Sequence, residues 1–377
     1  MDTNSGVQNA GKLYITSSDD ITVRSISDIT YQTTYTNSTA GHHIFKSYNT
    51  EIMRMDGGNN RVGIGETSPL GKLHVKTADS GATADASADE LVIEGSGNTG
   101  ISILSGASNA GSIYFGDSGT NWDGYIAYSQ SSRSMTLGTA AGGGSVNIDS
   151  SGNVGIAKSS LNTWSSGYNA LQVGGRGFVG AHSSSDLYLG QNASFNSGWK
   201  YEDSVAASMT QHSGGKITHF VAPAGTAGNA VSWNTAMDIN PSGYVTTPIN
   251  PAFHSYGTGM SNQTVVGVHG TWNQIHDKGN NFTPGTNATF TAPVAGVYAF
   301  YAQANFNNNS STPFYWRFKV NGSLNGIFYS DSTADTWTHI MAFMTIDLSA
   351  NDYVQIAYKG DPDEGGDWCH FGGYLIG

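Results

Sequence analysis

One pattern recurs three times in the first 250 residues: an apolar, any, apolar stretch, then Asp or Asn, a short Ser/Gly/Asn turn, and Val. It reads Met53-Arg-Met-Asp-Gly-Gly-Asn-Asn-Arg-Val-Gly-Ile64, Val146-Asn-Ile-Asp-Ser-Ser-Gly-Asn-Val-Gly-Ile156 and Met237-Asp-Ile-Asn-Pro-Ser-Gly-Tyr-Val245. Alternation before a polar turn and Val after it specify a β-hairpin. The equivalent residues Met55, Ile148 and Ile239 are spaced by 93 and 91 residues, and a near-constant period marks repeated structural units. Fainter echoes accompany it: Leu91-Val-Ile-Glu-Gly95 with Leu171-Gln-Val-Gly-Gly175, Ser112-Ile-Tyr-Phe-Gly116 with Asp186-Leu-Tyr-Leu-Gly190, and His43-Ile-Phe45 with His219-Phe220.

No window carries the three-and-four apolar spacing of a helix, whereas alternating strand-like runs such as Gly11-Lys-Leu-Tyr-Ile-Thr16 and Tyr315-Trp-Arg-Phe-Lys-Val320 are frequent. The 11% aromatic content argues against disorder, and no run reaches the ~20 apolar residues of a membrane helix. The expected class is all-β. Hairpin units this short and glycine-rich (50 Gly) are too thin to bury a face alone, so three chains about one axis would bury their apolar rows together. The expected architecture is an elongated trimeric shaft of repeated hairpin units over 51–250. Its core would include Ile52, Met53, Val62, Ile64, Leu73, Val75, Ile148, Val154 and Ile156. Residues 1–50 would dock it to its support, and a jelly-roll β-sandwich head would occupy 251–377.

Two resemblances sharpen this. Asn60-Arg-Val-Gly-Ile-Gly-Glu-Thr-Ser-Pro-Leu-Gly-Lys-Leu-His-Val75 is similar to a signature of bacteriophage tail-fibre and related virion proteins, and Ser151-Gly-Asn-Val-Gly-Ile156 followed by Ala170-Leu-Gln-Val173 is a partial second copy. Beyond Pro251, Phe290-Thr-Ala-Pro-Val-Ala-Gly-Val-Tyr-Ala-Phe300, Asp347-Leu-Ser-Ala-Asn-Asp-Tyr-Val354 and Phe371-Gly-Gly-Tyr-Leu375 resemble the globular head of complement first-component subunit q, of the complement-q/TNF superfamily. Asn351 stands where that pattern has Gly, and Gly372 where it has Ser. The resemblance implies a ten-strand jelly roll that assembles as a trimer.

Successive antiparallel turns alternate between the ends of such a sandwich. The turns at 307–312, 331–335 and 360–367 then share the outward end, and those at 321–325 and 349–352 the inward one. The outward set supplies the expected receptor-binding residues: Asn307, Asn308, Asn309, Asp331, Asp335, Trp337, Asp363, Glu364 and Trp368. Amides, carboxylates and indole rings suit hydroxyl-rich glycans, while the alternative places both tryptophans in the core. Asp361, Asp363 and Asp367 can ligate calcium through oxygen, as the resemblance also implies; a solvated acidic loop is the alternative. No other cofactor is expected.

A net charge of −12 disfavours nucleic acid. There is no nucleophile elbow, His-Glu-x-x-His or phosphate loop, and the tight pairs His42-His43 and His276-Asp277 lack further ligands at metal spacing. The lone Cys369 reads as a buried filler. The expectation is a non-enzymatic virion fibre, on tail or capsid, made in the host cytoplasm. Its partners are two further copies, virion proteins, and a host surface glycan or protein. Competing readings are a trimer-clamp or decoration protein without receptor binding, a fibre-borne glycan depolymerase with acid pairs between chains, and a cell-surface adhesin. The adhesin is disfavoured because the start, Met1-Asp-Thr-Asn-Ser-Gly, lacks a secretory pattern.

Overall fold

A computed structural model describes residues 41–139, 144–182, 185–307, 314–330, 337–363 and 368–377. Every regular element among them is a β-strand, and no helix occurs among the described residues. The chain divides into two compact units, Met1–Ile103 and Leu104–Gly377.

The first unit is a five-stranded sheet paired in chain order. His42–Ser47, Thr50–Asp56 and Arg61–Ile64 run antiparallel, then Leu73–Lys76 and Leu91–Glu94 add in parallel. Its first strand lies within the segment assigned to docking, and residues 1–40 are outside the described ones. The turn after Met55 is held by one side chain. Asp56 Oδ1 accepts the amides of Gly58 (2.9 Å) and Asn59 (3.4 Å), and Oδ2 accepts the Asn59 side-chain amide (2.8 Å). A carboxylate that caps its own turn reverses the chain with no tertiary help.

The second unit opens with a twelve-stranded sheet from Ala110–Phe115 to Val245–Thr246, antiparallel throughout except where Val154–Ile156 meets Tyr168–Val173. The other two repeat turns recur here. Asp149 Oδ1 accepts from Ser151 (2.9 Å) and Asn153 (2.8 Å), and Asn240 Oδ1 accepts from Ser242 and Tyr244, both at 3.0 Å. Met55 faces Val62, Ile148 faces Val154, and Ile239 faces Val245 across the three turns. The first and third repeats also share a β-bulge, after Phe45 opposite Met53 and after His219 opposite Met237. Phe45, rather than His43, is therefore the counterpart of His219. Likewise Val62 pairs with Leu73 and Val154 with Leu171, so Leu73, not Leu91, corresponds to Leu171.

In the first two repeats the chain after Val-Gly-Ile must return to start a parallel strand, and the short return lies over one face of the sheet. Glycine is required beneath it. A Cβ on Gly63 would sit 2.3 Å from the Glu66 carbonyl oxygen, and one on Gly155 would sit 2.6 Å from a Leu161 methyl and 2.8 Å from the Lys158 carbonyl oxygen. In the second unit this face is packed, with Trp164 from the return segment joining Ala170, Phe178, Tyr188 and Met209. The expectation that a repeat buries no face alone therefore fails on this side.

Among the described residues the opposite face is open. Directly paired residues share a face of a sheet, and the registers line up Phe45, Met53, Ile64, Val75 and Ile93 in the first unit. In the second they line up Ile113, Ile126, Leu137, Val146, Ile156 and Val173. Ile52 is the exception among the expected core residues: it lies between Glu51 and Met53, points away from this row, and is 50% exposed.

The C-terminal part is a jelly-roll sandwich. One sheet orders Thr271–Lys278, Ala252–Thr258, His370–Leu375, Gly296–Asn307 and Trp337–Leu348. The other orders Phe282–Thr283, Thr289–Thr291, Tyr353–Gly360, Phe314–Val320 and Ser323–Ser330, with Gln263–Gly267 also on Tyr353–Gly360. Among the described residues eleven strands stand where ten were expected, two of them, Phe282–Thr283 and Thr289–Thr291, being short and paired with each other. Alternation sends Tyr298, Phe300, Phe306, Phe314, Trp316 and Phe318 into one aromatic core with Phe253, Phe290 and Phe371. Cys369 is fully buried, as a filler should be, and burial pushes its thiol up to about 12.

Both departures from the resembled pattern have local causes. Gly372 lies under Tyr301, whose hydroxyl would be 2.3 Å from any Cβ there. Asn351 has φ +72°, the left-handed region that glycine fills freely and Asn tolerates better than other side chains. Asn351→Ala should therefore lower stability by about 1 kcal/mol while Asn351→Gly is nearly neutral; chemical denaturation of the two variants checks this.

Candidate functional site

The chain enters the sandwich at Pro251, whose carbonyl accepts the Leu375 amide (3.1 Å), and Val297 donates to the Gly377 carbonyl (2.8 Å) at the same end. The turns around Asn321 and Asp352 are also here. Asn321 donates to Asp352 Oδ1 (2.8 Å) and accepts from the Tyr353 amide (2.9 Å), and Asp352 Oδ2 accepts from the Ser349 amide (2.7 Å). These polar groups are spent on closing turns.

The opposite end gathers the described members of the expected receptor set. Asn307 pairs with Trp337 across two strand ends. The Asn307 amide donates to the Asp361 carbonyl (2.8 Å), the Asp363 amide donates to the Asn305 carbonyl (2.7 Å), and Phe306 bridges Pro362. Buried Cys369 donates from Sγ to the Asp363 carbonyl (3.3 Å), which brings Trp368 to the same rim. Trp337 and Trp368 are 46% and 47% exposed, which corrects the reading that placed them in the core. Asn308, Asn309, Asp331, Asp335, Glu364 and Asp367 lie outside the described residues, as does any loop structure they form. Asp361 and Asp363 stand two apart with buried Pro362 between them. Among the described residues they are not part of a compact three-ligand group.

The motifs did not point to a cluster in the first unit, although its members lie in two quoted segments, Glu66 and His74 in Asn60–Val75 and Glu94 in Leu91–Gly95. Glu66, His74 and Glu94 bring ligand-type atoms close together, with His74 fully buried and Nε2 at 3.0 Å from Glu94 Oε2. The geometry argues against a metal ion. Leu70 donates its amide to His74 Nδ1 (3.2 Å), so the ring proton sits on Nε2 and no lone pair faces the carboxylates. Lys76 Nζ already supplies the cation, 2.7 Å from Glu66 and 3.4 Å from Glu94. The equivalent residue in the second repeat is Gln172, also fully buried, whose Oε1 accepts the Asn162 amide (2.9 Å). Both side chains tie down the overlying return segment.

The amide and hydroxyl of Ser80, reinforced by Lys76, hold the Glu94 carboxyl down to about 2, against the opposing effect of burial. A depressed folded-state value contributes stability above the ordinary carboxylate range that is lost as pH falls toward 2. Protection of strands 61–94 in hydrogen exchange should decline between about pH 4.5 and 2, and Glu94→Gln should flatten that decline.

No protein-family model matches the chain, and no curated protein matches it in sequence. Solved structures similar to it match about a third of it. Murine APRIL is 11% identical over 34% of this chain and 99% of its own, with a TM-score of 0.28. The globular domain of zebrafish complement 1qA protein is 22% identical over 34% and 98%, with a TM-score of 0.27. Eiger TNF from S. frugiperda is 13% identical over 34% and 93%, with a TM-score of 0.28.

Proposed function

We propose that this chain is a homotrimeric attachment fibre of a virion. In this reading the sandwich engages a host surface glycan or protein through the end that carries Asn307, Trp337, Asp363 and Trp368. The observation that supports it best is the row of apolar residues left open on both repeat sheets. Further exposed apolar side chains lie on the outer side of the five-stranded sandwich sheet, where Met341 and Phe343 are 70% and 62% exposed opposite Gln303 and Tyr301, with Tyr374 and Val297 farther along the same face. Contiguous apolar surface of this kind marks an interaction site, and copies of the same chain are the simplest occupant of rows repeated in each unit. Half-exposed indoles beside amides and carboxylates suit sugar rings, and three heads on one fibre would turn weak contacts into firm attachment.

The open sandwich face also suits the second reading, in which the head only registers three chains. One experiment separates them. The full chain should sediment as three copies of the 39.6 kDa chain and bind host cells, and deleting 251–377 should abolish cell binding. A truncation that remains trimeric and binds cells as well as the full chain would refute the receptor-head reading.

A further inference from the structure

We propose that His254, His370 and His276, on three adjacent strands of the sandwich, form a binding site for a divalent transition metal, with zinc the expected ion. This site lies within one chain and does not depend on the attachment reading.

The strands Thr271–Lys278, Ala252–Thr258 and His370–Leu375 are neighbours in one sheet. His254 sits directly opposite His276 and pairs with Gly372, while His370 pairs with Tyr256, two residues along the same face from His254. All three imidazoles therefore project from the outer side of the sheet, away from the aromatic core. His254 Nε2 and His370 Nδ1 are 3.0 Å apart. Two nitrogens bound about 2.0–2.1 Å from one ion at roughly 90–110° are themselves about 2.9–3.4 Å apart, so this pair has the spacing of adjacent ligands. The His276 ring centre lies 5.8 Å from that of His254; His276 does not close with the other two into a three-ligand group in this structure, and its exposed side chain on the edge strand would have to turn inward to serve as the third ligand.

The contrast with His74 is chemical. There a backbone amide occupies the second ring nitrogen and an ammonium occupies the cation position. Here no carboxylate, Lys or Arg among the described residues pairs with any of the three rings, and the one hydrogen bond is between His254 and His370. A shift of tautomer turns both facing nitrogens into lone pairs without loss of a proton. The Tyr301 ring walls one side, 5.8 Å from His254, and rests on Gly372, where a Cβ would collide with it. An all-imidazole set suits zinc, copper or nickel rather than calcium or magnesium, and three ligands leave a fourth position for water or an incoming group.

The full chain, stripped with EDTA and titrated with zinc chloride by calorimetry at pH 7.5, should bind one ion per chain. His254→Gln and His370→Gln should each weaken binding at least tenfold, and His276→Gln severalfold. Zinc should raise the melting temperature of the parent but not of His254→Gln, whose melting without zinc reports whether it is folded. The site is refuted if the parent takes up no zinc below about 100 μM, or if folded His254→Gln and His370→Gln bind as the parent does.

Discussion

Ile156→Lys should convert the assembly to single chains or to insoluble protein, measured by light scattering coupled to size exclusion. Ile156 stands in the row with Leu137, Val146 and Val173 and is 42% exposed in one chain. If that row packs against two further copies, three ammonium groups are carried into an apolar interior. An unpaired buried charge costs several kcal/mol, and the penalty recurs in every chain of the trimer. If the row faces water, the same change costs roughly 0.5 kcal/mol or less and leaves the mass unchanged. Ser151→Lys, at the exposed tip of the adjacent turn, is the control and should do nothing. An unchanged mass for folded Ile156→Lys would overturn the trimer reading of the repeat sheets.

Phe300→Ala should destabilise the sandwich by about 3–5 kcal/mol, a large fraction of the stability of an ordinary domain. Phe300 is fully buried, with its ring 5.5 Å from Phe290, 6.1 Å from Phe318 and 6.3 Å from Phe371. These neighbours come from three strands, so the cavity cannot collapse by moving one of them. Gly373 lies beneath the same ring, where a Cβ would sit 2.5 Å from it and 2.9 Å from the Ala299 carbonyl oxygen. Gly373→Ala should therefore cost about 1–3 kcal/mol by overpacking. Chemical denaturation followed by tryptophan emission checks both, because Trp272 and Trp316 lie in this core.

Much of the repeat was legible because its causes are local. Asp56, Asp149 and Asn240 each cap a turn within four residues of themselves, and Val after the turn follows from alternation. The misplacements fall where local pattern is silent. Ile52 is as apolar as Met53, but register alone decides which of two adjacent side chains faces the open row. The pairings of His43 and Leu91 with their supposed counterparts failed for the same reason: a bulge or an added parallel strand shifts correspondence without changing composition. Trp337 and Trp368 could not be assigned from their chemistry, since an indole fits a core or a rim equally well. In the candidate binding end, the approach of Asn307 to Asp361 and of Asn305 to Asp363 depends on pairing across more than 50 residues.

Sequence alone determined the strand class, the three capped hairpins and the aromatic alternation of the sandwich, because each follows from sterics and hydrogen bonding within a few residues. Tertiary structure decided which face of each sheet is covered, that Lys76 sits between Glu66 and Glu94, and that His254 meets His370. The physical reason is range: contacts between residues 116 apart, as in that histidine pair, exist only once strand order and register are set by burial of the whole core.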